Sequence, residues 1–553
     1  MENISSNPYV EGGLLYVESS LKVVEDKLSS YERWQVAVAT CLMSVLVTYI
    51  YCWITQFIRE GYEVSSVRVT KWMFKTLRSL PIVKGKVKEK IEEVRHDINT
   101  TSFRLKTDMV YMTELPKGGM TVDQVMDKLK HYNTLDEHVD KKLSGQVYQN
   151  NEEIVDLTAK VFRLHGYTNP LHADVFQDIR KIEAETAKFV CSMFHGDEES
   201  HGVITTGGSE SLLLAVLAAR NRAYDRGIRY PELVMSVTAH AALDKACFYF
   251  RVKAVHVPIN SKTFKLDFAK MKRAVNKNTC LIVGSFPEFP YGLMDPIEKI
   301  AALGVARDIP VHVDACLGGF VVAFMAQSGL ELPPFDFAVP GVMSISCDNH
   351  KYGFAPKGTS ALVFRSPEYM QCMYFSQPDW PGGIYATPTT GGSRSGGIIA
   401  TAWATMLYMG EEGYTKTAAQ VVHTTRALAK GISETPGLCV MGDPQICVVS
   451  WTSYQFDIWR QFELLTKRKW FLGTTQFPGG IHFTVTMKHV EQEWLDSFLK
   501  DIRETAEICM QSPEEKANGQ AAMYGMSQTI PDRSLIKEMT YMFWDRYYST
   551  ATD

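Results

Sequence analysis

Four short runs carry residue types that could do chemistry together. His350-Lys351-Tyr352-Gly353 follows an apolar, strand-like run at 341–346, and Gly358 closes the turn behind it. A lysine at the mouth of a buried strand loses hydration. That should lower its pKa and make it a nucleophile able to form a Schiff base with a carbonyl cofactor. Upstream, Gly207-Gly208-Ser209 separates a strand pattern at 202–206 from an apolar helix pattern at 212–222. Glycines between strand and helix let backbone N–H groups close around an oxyanion, and the helix dipole favours a phosphate there. Asp314 ends the apolar run Val311-His312-Val313. Burying a carboxylate unpaired costs on the order of several kcal/mol, so a proton-bearing partner such as a pyridine nitrogen suits it. His240 follows the strand pattern at 233–237, where an imidazole can stack on such a ring. A tight turn, a helix cap or an ordinary His-Lys pair would explain each run alone. In this order, at strand ends, they compose a site for pyridoxal 5′-phosphate.

Such residues need a scaffold that carries strand ends to one edge. From about residue 185, strand patterns at 202–206, 233–237, 254–258, 279–284, 311–316, 341–346 and 359–364 alternate with helical ones. A helix is predicted over 296–307, with Asp295 as N-cap and Pro296 in its first turn. The alternation predicts an α/β fold whose mostly parallel sheet is covered by helices, with ligands at the carboxyl ends of its strands. A long apolar helix at 397–428, strands near 447–453 and 481–487, and a last helix at 535–547 suggest a small α+β C-terminal domain.

The 553 residues carry a net charge of −4, with 45% hydrophobic and 22% charged residues, enough for two or three domains and a sizeable core. No basic face or zinc spacing argues for nucleic acid, so no such partner is expected. The eleven cysteines include no C-x-x-C pair. That excludes the common structural zinc patterns, predicts no metal, and reads as reduced thiols in a cytosolic compartment. Residues 34–58 hold no charge. As a helix they would reach about 37 Å, enough to cross a bilayer's hydrocarbon core, with Trp34 and Trp53 near the interfaces. A buried core helix is usually shorter, and the acidic leader and long apolar run argue against a cleaved signal peptide. Lys22, Lys27 and Arg33 precede the span; Arg59, Arg68, Lys71, Lys75, Arg78, Lys84, Lys86, Lys88, Lys90 and Arg95 follow it. This excess predicts a cytosolic body and a tail on the far side, where an Asn3-Ile4-Ser5 sequon is compatible. The expected organisation is a lumenal tail (1–33), a transmembrane helix (34–58), a cytosolic stem and N-terminal segment (59–185), a cofactor-binding large domain (186–390) and a small domain (391–553).

At this point the chain resembles a known family. The runs Tyr167-Thr-Asn-Pro-Leu-His172, Thr206-Gly-Gly-Ser-Glu-Ser211, Ala239-His-Ala-Ala242, Pro310-Val-His-Val-Asp-Ala-Cys-Leu-Gly-Gly-Phe320, His350-Lys-Tyr-Gly-Phe-Ala-Pro-Lys-Gly358, Gly383-Ile-Tyr-Ala386, Gly392-Ser-Arg394 and Tyr524-Gly-Met-Ser-Gln-Thr529 extend over most of 115–550. They resemble the sphingosine-1-phosphate lyases, within the decarboxylase-like pyridoxal phosphate enzymes of fold type I. The segment around Lys351, with Lys357 downstream, best separates this family from amino-acid decarboxylases. The resemblance implies that Lys351 is the Schiff-base lysine, Asp314 pairs with the ring nitrogen and His240 stacks on the ring. Gly208 and Ser209 would bind the cofactor phosphate, helped by Ser393 of a second subunit, and His350 would also bind the cofactor. Tyr148, Asn169, His172 and Lys357 would serve catalysis and the substrate phosphate.

The resemblance further implies a homodimer with shared sites, anchored by one helix in the endoplasmic reticulum membrane. Its reaction is cleavage of the C2–C3 bond of a sphingoid base 1-phosphate to a long-chain aldehyde and phosphoethanolamine. The base for the C3 hydroxyl stays open among Tyr148, the cofactor phosphate and a nearby His. Asn349 stands where Thr is expected, Ser395 where Pro is, and Tyr291 where animal relatives often have His; these departures point to altered substrate preference. An amino-acid decarboxylase would need a cation for a substrate carboxylate, and would leave the anchor and Lys357 unexplained. An inactive membrane scaffold would not need Lys351, Asp314 and His240.

Overall fold

A computed structural model of the chain describes residues 31–78, 111–133, 142–149, 151–518 and 533–550, with isolated positions between 80 and 96 and positions 521 and 528. The expected tail up to residue 30 with its sequon, much of the basic stem, and the run 524–529 apart from Gln528 lie outside the described residues. Two compact units are present, Met1–Ser66 and Val67–Asp553.

Helix α1 (Arg33–Arg78) begins in the first unit. Its stretch Arg33–Ile58 is long and apolar enough to cross a membrane, and its hydropathic window is not buried in protein. The expected span is thus part of a longer helix, whose end at Arg78 lies three residues short of the helix-breaking Pro81.

In the second unit, α2 (Val122–Tyr132) starts at a capping box between Thr121 and Gln124, and α3 (Glu152–His165) starts where Asn151 accepts from Glu153 N–H. Helix α4 (Gln177–Met193) leads into the sheet. Strands β1 (His201–Thr205), β2 (Glu232–Ser236), β3 (Lys253–Val257), β4 (Thr279–Ser285), β5 (Val311–Asp314), β6 (Val342–Cys347) and β7 (Ser360–Phe364) lie in the order β1-β7-β6-β5-β4-β2-β3. The pairs from β6 to β3 are parallel, with α5 (Gly208–Asp225), α6 (Ala242–Phe250), α7 (Phe268–Ala274), α8 (Ile297–Arg307) and the short α9 (Gly319–Val322) in the connections. Strand β7 runs antiparallel to both β6 and β1. A parallel neighbour needs a crossover, usually a helix, and no helix separates β6 from β7. Every residue of β2, β4 and β7 is buried, as continuous apolar strands covered on both faces require.

Asp295 does not cap α8, contrary to expectation. Helix α8 starts at Ile297 behind Pro296 with no side-chain cap, and the buried Asp295 carboxylate accepts from Ser285 N–H at 2.8 Å. A hydrogen-bond donor at the buried end of β4 outcompetes the helix start.

Helix α10 (Pro367–Gln371) and the hairpin β8 (Phe375–Gln377) and β9 (Tyr385–Thr387) precede α11 (Gly396–Ser433). Ser395 caps α11 by accepting from Ile398 N–H at 3.4 Å. Its replacement of proline exchanges one helix-start residue for another. Gly410, at φ +56°, breaks α11 internally, where the sequence reads as one continuous helix. A second, antiparallel sheet has the order β10 (Cys439–Val440), β11 (Val448–Thr452), β13 (Gly480–Thr484), β12 (Gly473–Thr475). It packs with α12 (Ile458–Lys467) and α13 (Gln492–Gln511) around the buried Trp451, Phe483 and Phe498, and α14 (Arg533–Tyr547) is the last helix among the described residues.

Candidate active site

Strands β2, β4, β5 and β6 share one direction, and β1 shares it too, because β7 reverses between β6 and β1. Their carboxyl ends therefore lie along one sheet edge. The Gly207–Ser209 turn follows β1, His240 follows β2, Asp314 ends β5, and Asp348 to Lys351 follow β6. The fold brings the four runs singled out by sequence to the same edge.

Lys351 Nζ stands 2.9 Å from Asp348 Oδ2, and Asp348 is only 3% exposed. Burial opposes the Asp348 charge, but Lys351 and then His350 outweigh it and hold the carboxyl below its ordinary value. The same balance corrects the expectation for Lys351. Desolvation lowers its pKa as anticipated, but the Asp348 carboxylate reverses the sign and the ammonium is held well above the usual lysine value. Sequence reasoning missed Asp348; the available signal was an acid three residues before a turn lysine. His350 Nδ1 pairs with Thr359 O, and its Nε2 lies 3.6 Å from Asp348 Oδ2. Burial lowers the His350 pKa. Between them the fully buried Asn349 directs Nδ2 toward Met406 Sδ on α11, at 3.5 Å.

Lys357 Nζ lies 4.8 Å from the centre of the Tyr148 ring and donates to His350 O at 3.3 Å. Desolvation, then Lys351, lower its pKa. Tyr148 packs edge-on against Tyr352 at 4.9 Å, and desolvation raises its phenol well above the ordinary value despite nearby Lys351. At neutral pH its O–H is therefore a donor. His240 accepts from Ala242 N–H at the start of α6, and its ring meets Phe289 edge-on at 6.4 Å. Tyr291 packs on Phe264 at 5.0 Å and donates its N–H to Glu288, a packing role for that departure.

Gly207, with φ +155° and ψ 167°, has a backbone open essentially to glycine alone. A Cβ on Gly208 would lie 2.8 Å from Asp348 Oδ1 and 3.0 Å from Cys316 Sγ, so the turn rests directly on Asp348 with its backbone bare. Ser209 is exposed beside it at the start of α5. Bare amides, an exposed hydroxyl and a helix N-terminus fit a phosphate monoester. Asp314 Oδ1 accepts from Cys316 N–H at 3.0 Å, which fixes the carboxylate at the strand end where a ring nitrogen would be met. The donor set thus fits pyridoxal phosphate.

Asn169, His172 and Ser393 form a separate group. Asn169 Nδ2 donates to Ser393 Oγ at 3.0 Å, while its Oδ1 accepts from Leu171 N–H and Arg394 N–H at 3.1 and 3.2 Å. His172 is exposed, and no described hydrogen bond, ion pair or ring contact joins it to Tyr148 or Lys357. Among the described residues the three expected substrate-phosphate partners therefore divide into two groups.

The pyridoxal-dependent decarboxylase conserved domain matches residues 168–453. Sphingosine-1-phosphate lyase 1 of Mus musculus is 39% identical over 545 residues, covering 98% of this chain and 95% of the relative. The sphingosine-1-phosphate lyase of Drosophila melanogaster is 41% identical over 529 residues, covering 94% and 95%. The chain belongs to the sphingosine-1-phosphate lyase family. A solved sphingosine-1-phosphate lyase from Burkholderia pseudomallei matches with a TM-score of 0.71 at 31% identity, over 76% of this chain and 97% of that one. A glutamate decarboxylase from Lactobacillus brevis, at TM-score 0.63 and 21% identity over 75% and 97%, shares the fold. As a member of the sphingosine-1-phosphate lyase family, the chain is a pyridoxal phosphate-dependent carbon–carbon lyase.

Proposed function

We propose that the chain cleaves the C2–C3 bond of sphingoid base 1-phosphates, yielding a long-chain aldehyde and phosphoethanolamine. The observation that carries this reading is the second lysine, Lys357, whose ammonium lies over the Tyr148 ring six residues beyond Lys351. A substrate bearing its own phosphate needs a cation of this kind beside the cofactor lysine. Lys351 would hold the cofactor covalently, Asp314 would keep a proton on its ring nitrogen, and His240 would stack on its ring. Gly208 and Ser209 would hold its phosphate with Ser393 of a second subunit, and His350 would stand beside the cofactor. When bound, pyridoxal phosphate takes up the electron pair left on C2 as the C2–C3 bond breaks. The C3 hydroxyl loses its proton as the aldehyde forms, and C2 gains one. Burial keeps the Tyr148 phenol protonated, so we assign it as a donor to the substrate phosphate alongside Lys357.

We infer a homodimer with shared sites, because Asn169, His172 and Ser393 make no described contact with Tyr148 or Lys357 of their own chain. We assign residues 186–390, with the seven-stranded sheet, to a cofactor-binding domain and 391–553, with the four-stranded sheet, to a small domain. We further infer a single-pass protein of the endoplasmic reticulum with its body in the cytosol, from the basic residues that follow the apolar stretch.

The test incubates full-length protein, supplied with pyridoxal phosphate in detergent, with sphingosine 1-phosphate. Aldehyde and phosphoethanolamine should appear in equal amounts, and Lys351→Ala should yield neither. Carbon dioxide release from an amino acid, with no aldehyde from the lipid, would overturn the reading.

A further inference from the structure

Glu210 lies in the first turn of α5, directly behind the Gly207-Gly208-Ser209 turn, and is 8% exposed. A glutamate at this position commonly reaches back to one backbone N–H at the helix start. Here each carboxylate oxygen serves a different segment. Oε2 accepts from Thr206 N–H and Thr206 Oγ1–H, both at 2.7 Å. Oε1 accepts from Thr390 N–H at 3.1 Å and from the Thr390 hydroxyl, 180 residues away. A second tie joins the same two segments: the Arg394 guanidinium pairs with Glu183 and donates to Ile204 O at 3.0 Å. The loop fastened in this way carries Ser393.

We propose that Glu210 is a positioning residue for the cofactor phosphate, buckling the Thr206–Ser209 turn to the Thr390–Arg394 loop so that the turn keeps the shape that holds the phosphate of its own chain while the loop holds Ser393 out for a second subunit. This rests on the reading that the phosphate binds at that turn. The carboxylate is itself an anion near the phosphate, so charge alone would make it a hindrance. Its four donors make its geometry the useful property. Glutamine cannot replace it, because the amide nitrogen must face a backbone N–H that cannot reverse into an acceptor. One of the two ties is then lost, leaving a buried donor unmatched.

The test strips full-length protein of cofactor and titrates it with pyridoxal phosphate and, separately, with pyridoxal, which lacks the phosphate. Glu210→Gln should raise the dissociation constant for pyridoxal phosphate about five- to a hundredfold, and Thr390→Val about two- to tenfold. Affinity for pyridoxal should stay within about twofold of the parent's for both. Should Glu210→Gln fail to fold, Thr390→Val decides alone. Equal weakening of both ligands would reduce Glu210 to a general structural role and overturn the proposal. Unchanged or tighter binding of pyridoxal phosphate would overturn it as well, as the result expected when charge dominates. If the parent protein binds the two ligands equally, the phosphate reading of the turn fails, and this proposal with it.

Discussion

The Lys351 ammonium and the Asp348 carboxylate are each costly to bury alone, and each lowers the cost of the other. A partly buried lysine beside a nearly inaccessible acid, at 2.9 Å, is a pair whose halves should not be removed singly. In cofactor-free protein, Lys351→Ala should cost roughly 3–5 kcal/mol, seen as a lower Tm, because Asp348 is left uncompensated. Adding Asp348→Asn should restore most of that Tm; a double variant no more stable than the single one would show that the pair is not what suffers. Lys357 gives a second residue-scale prediction. It touches Tyr148 and His350 but no carboxylate among its described contacts. Lys357→Met should keep cofactor binding while kcat/KM for a phosphorylated sphingoid base falls about tenfold to more than a hundredfold, the worth of a charge-assisted hydrogen bond. Near-normal kcat/KM would make this lysine a bystander.

The connection between β4 and α8 shows how an element is held by buried acids. Glu288 accepts from Tyr291 and Leu293 N–H groups at 3.1 and 3.0 Å, and burial pushes its carboxyl up to about 8. Burial likewise raises Asp295, which holds Ser285 N–H, to about 7. A carboxyl whose folded pKa exceeds its unfolded value binds its proton more tightly when folded. Its contribution is fully present below about pH 4 and is lost as pH rises through the folded pKa of about 8. Tm should therefore decline between about pH 5 and pH 8.5. Glu288→Gln keeps the oxygen that both N–H groups use. It should match the parent near pH 5 and exceed its stability near pH 8.5, by on the order of a few kcal/mol. Thermal unfolding of both proteins across that range checks this; a gap that does not change with pH would count against a buried, titrating Glu288.

At the scale of the whole molecule, an apolar helix precedes an enzyme whose proposed substrate is a lipid. Residues Arg33–Ile58 suit a bilayer span, and the basic residues beyond them set the expected orientation. Protease added to sealed microsomes should digest the region after Arg59 and spare the first thirty residues. The opposite protection pattern would reverse the proposed topology.

The strand ends and the residue types at them were determined by the sequence alone. Short apolar runs bounded by turn residues, glycines between strand and helix, and an acid or lysine closing a strand are local properties, so Gly207, His240, Asp314 and Lys351 were legible without coordinates. The last helix and two strands of the second sheet, β11 and β13, were legible for the same reason, whereas the short β10 and β12 were not. Tertiary structure alone decided which way β7 runs, that Asp295 serves β4 rather than α8, that Gly410 interrupts α11, and that Asp348 reverses the charge balance of Lys351. It also decided the ties from Glu210 to Thr390 and from Asn169 to Ser393. A hydrogen bond or ion pair depends on where two groups meet in space and on how dry that place is, and a pattern read along the chain contains neither.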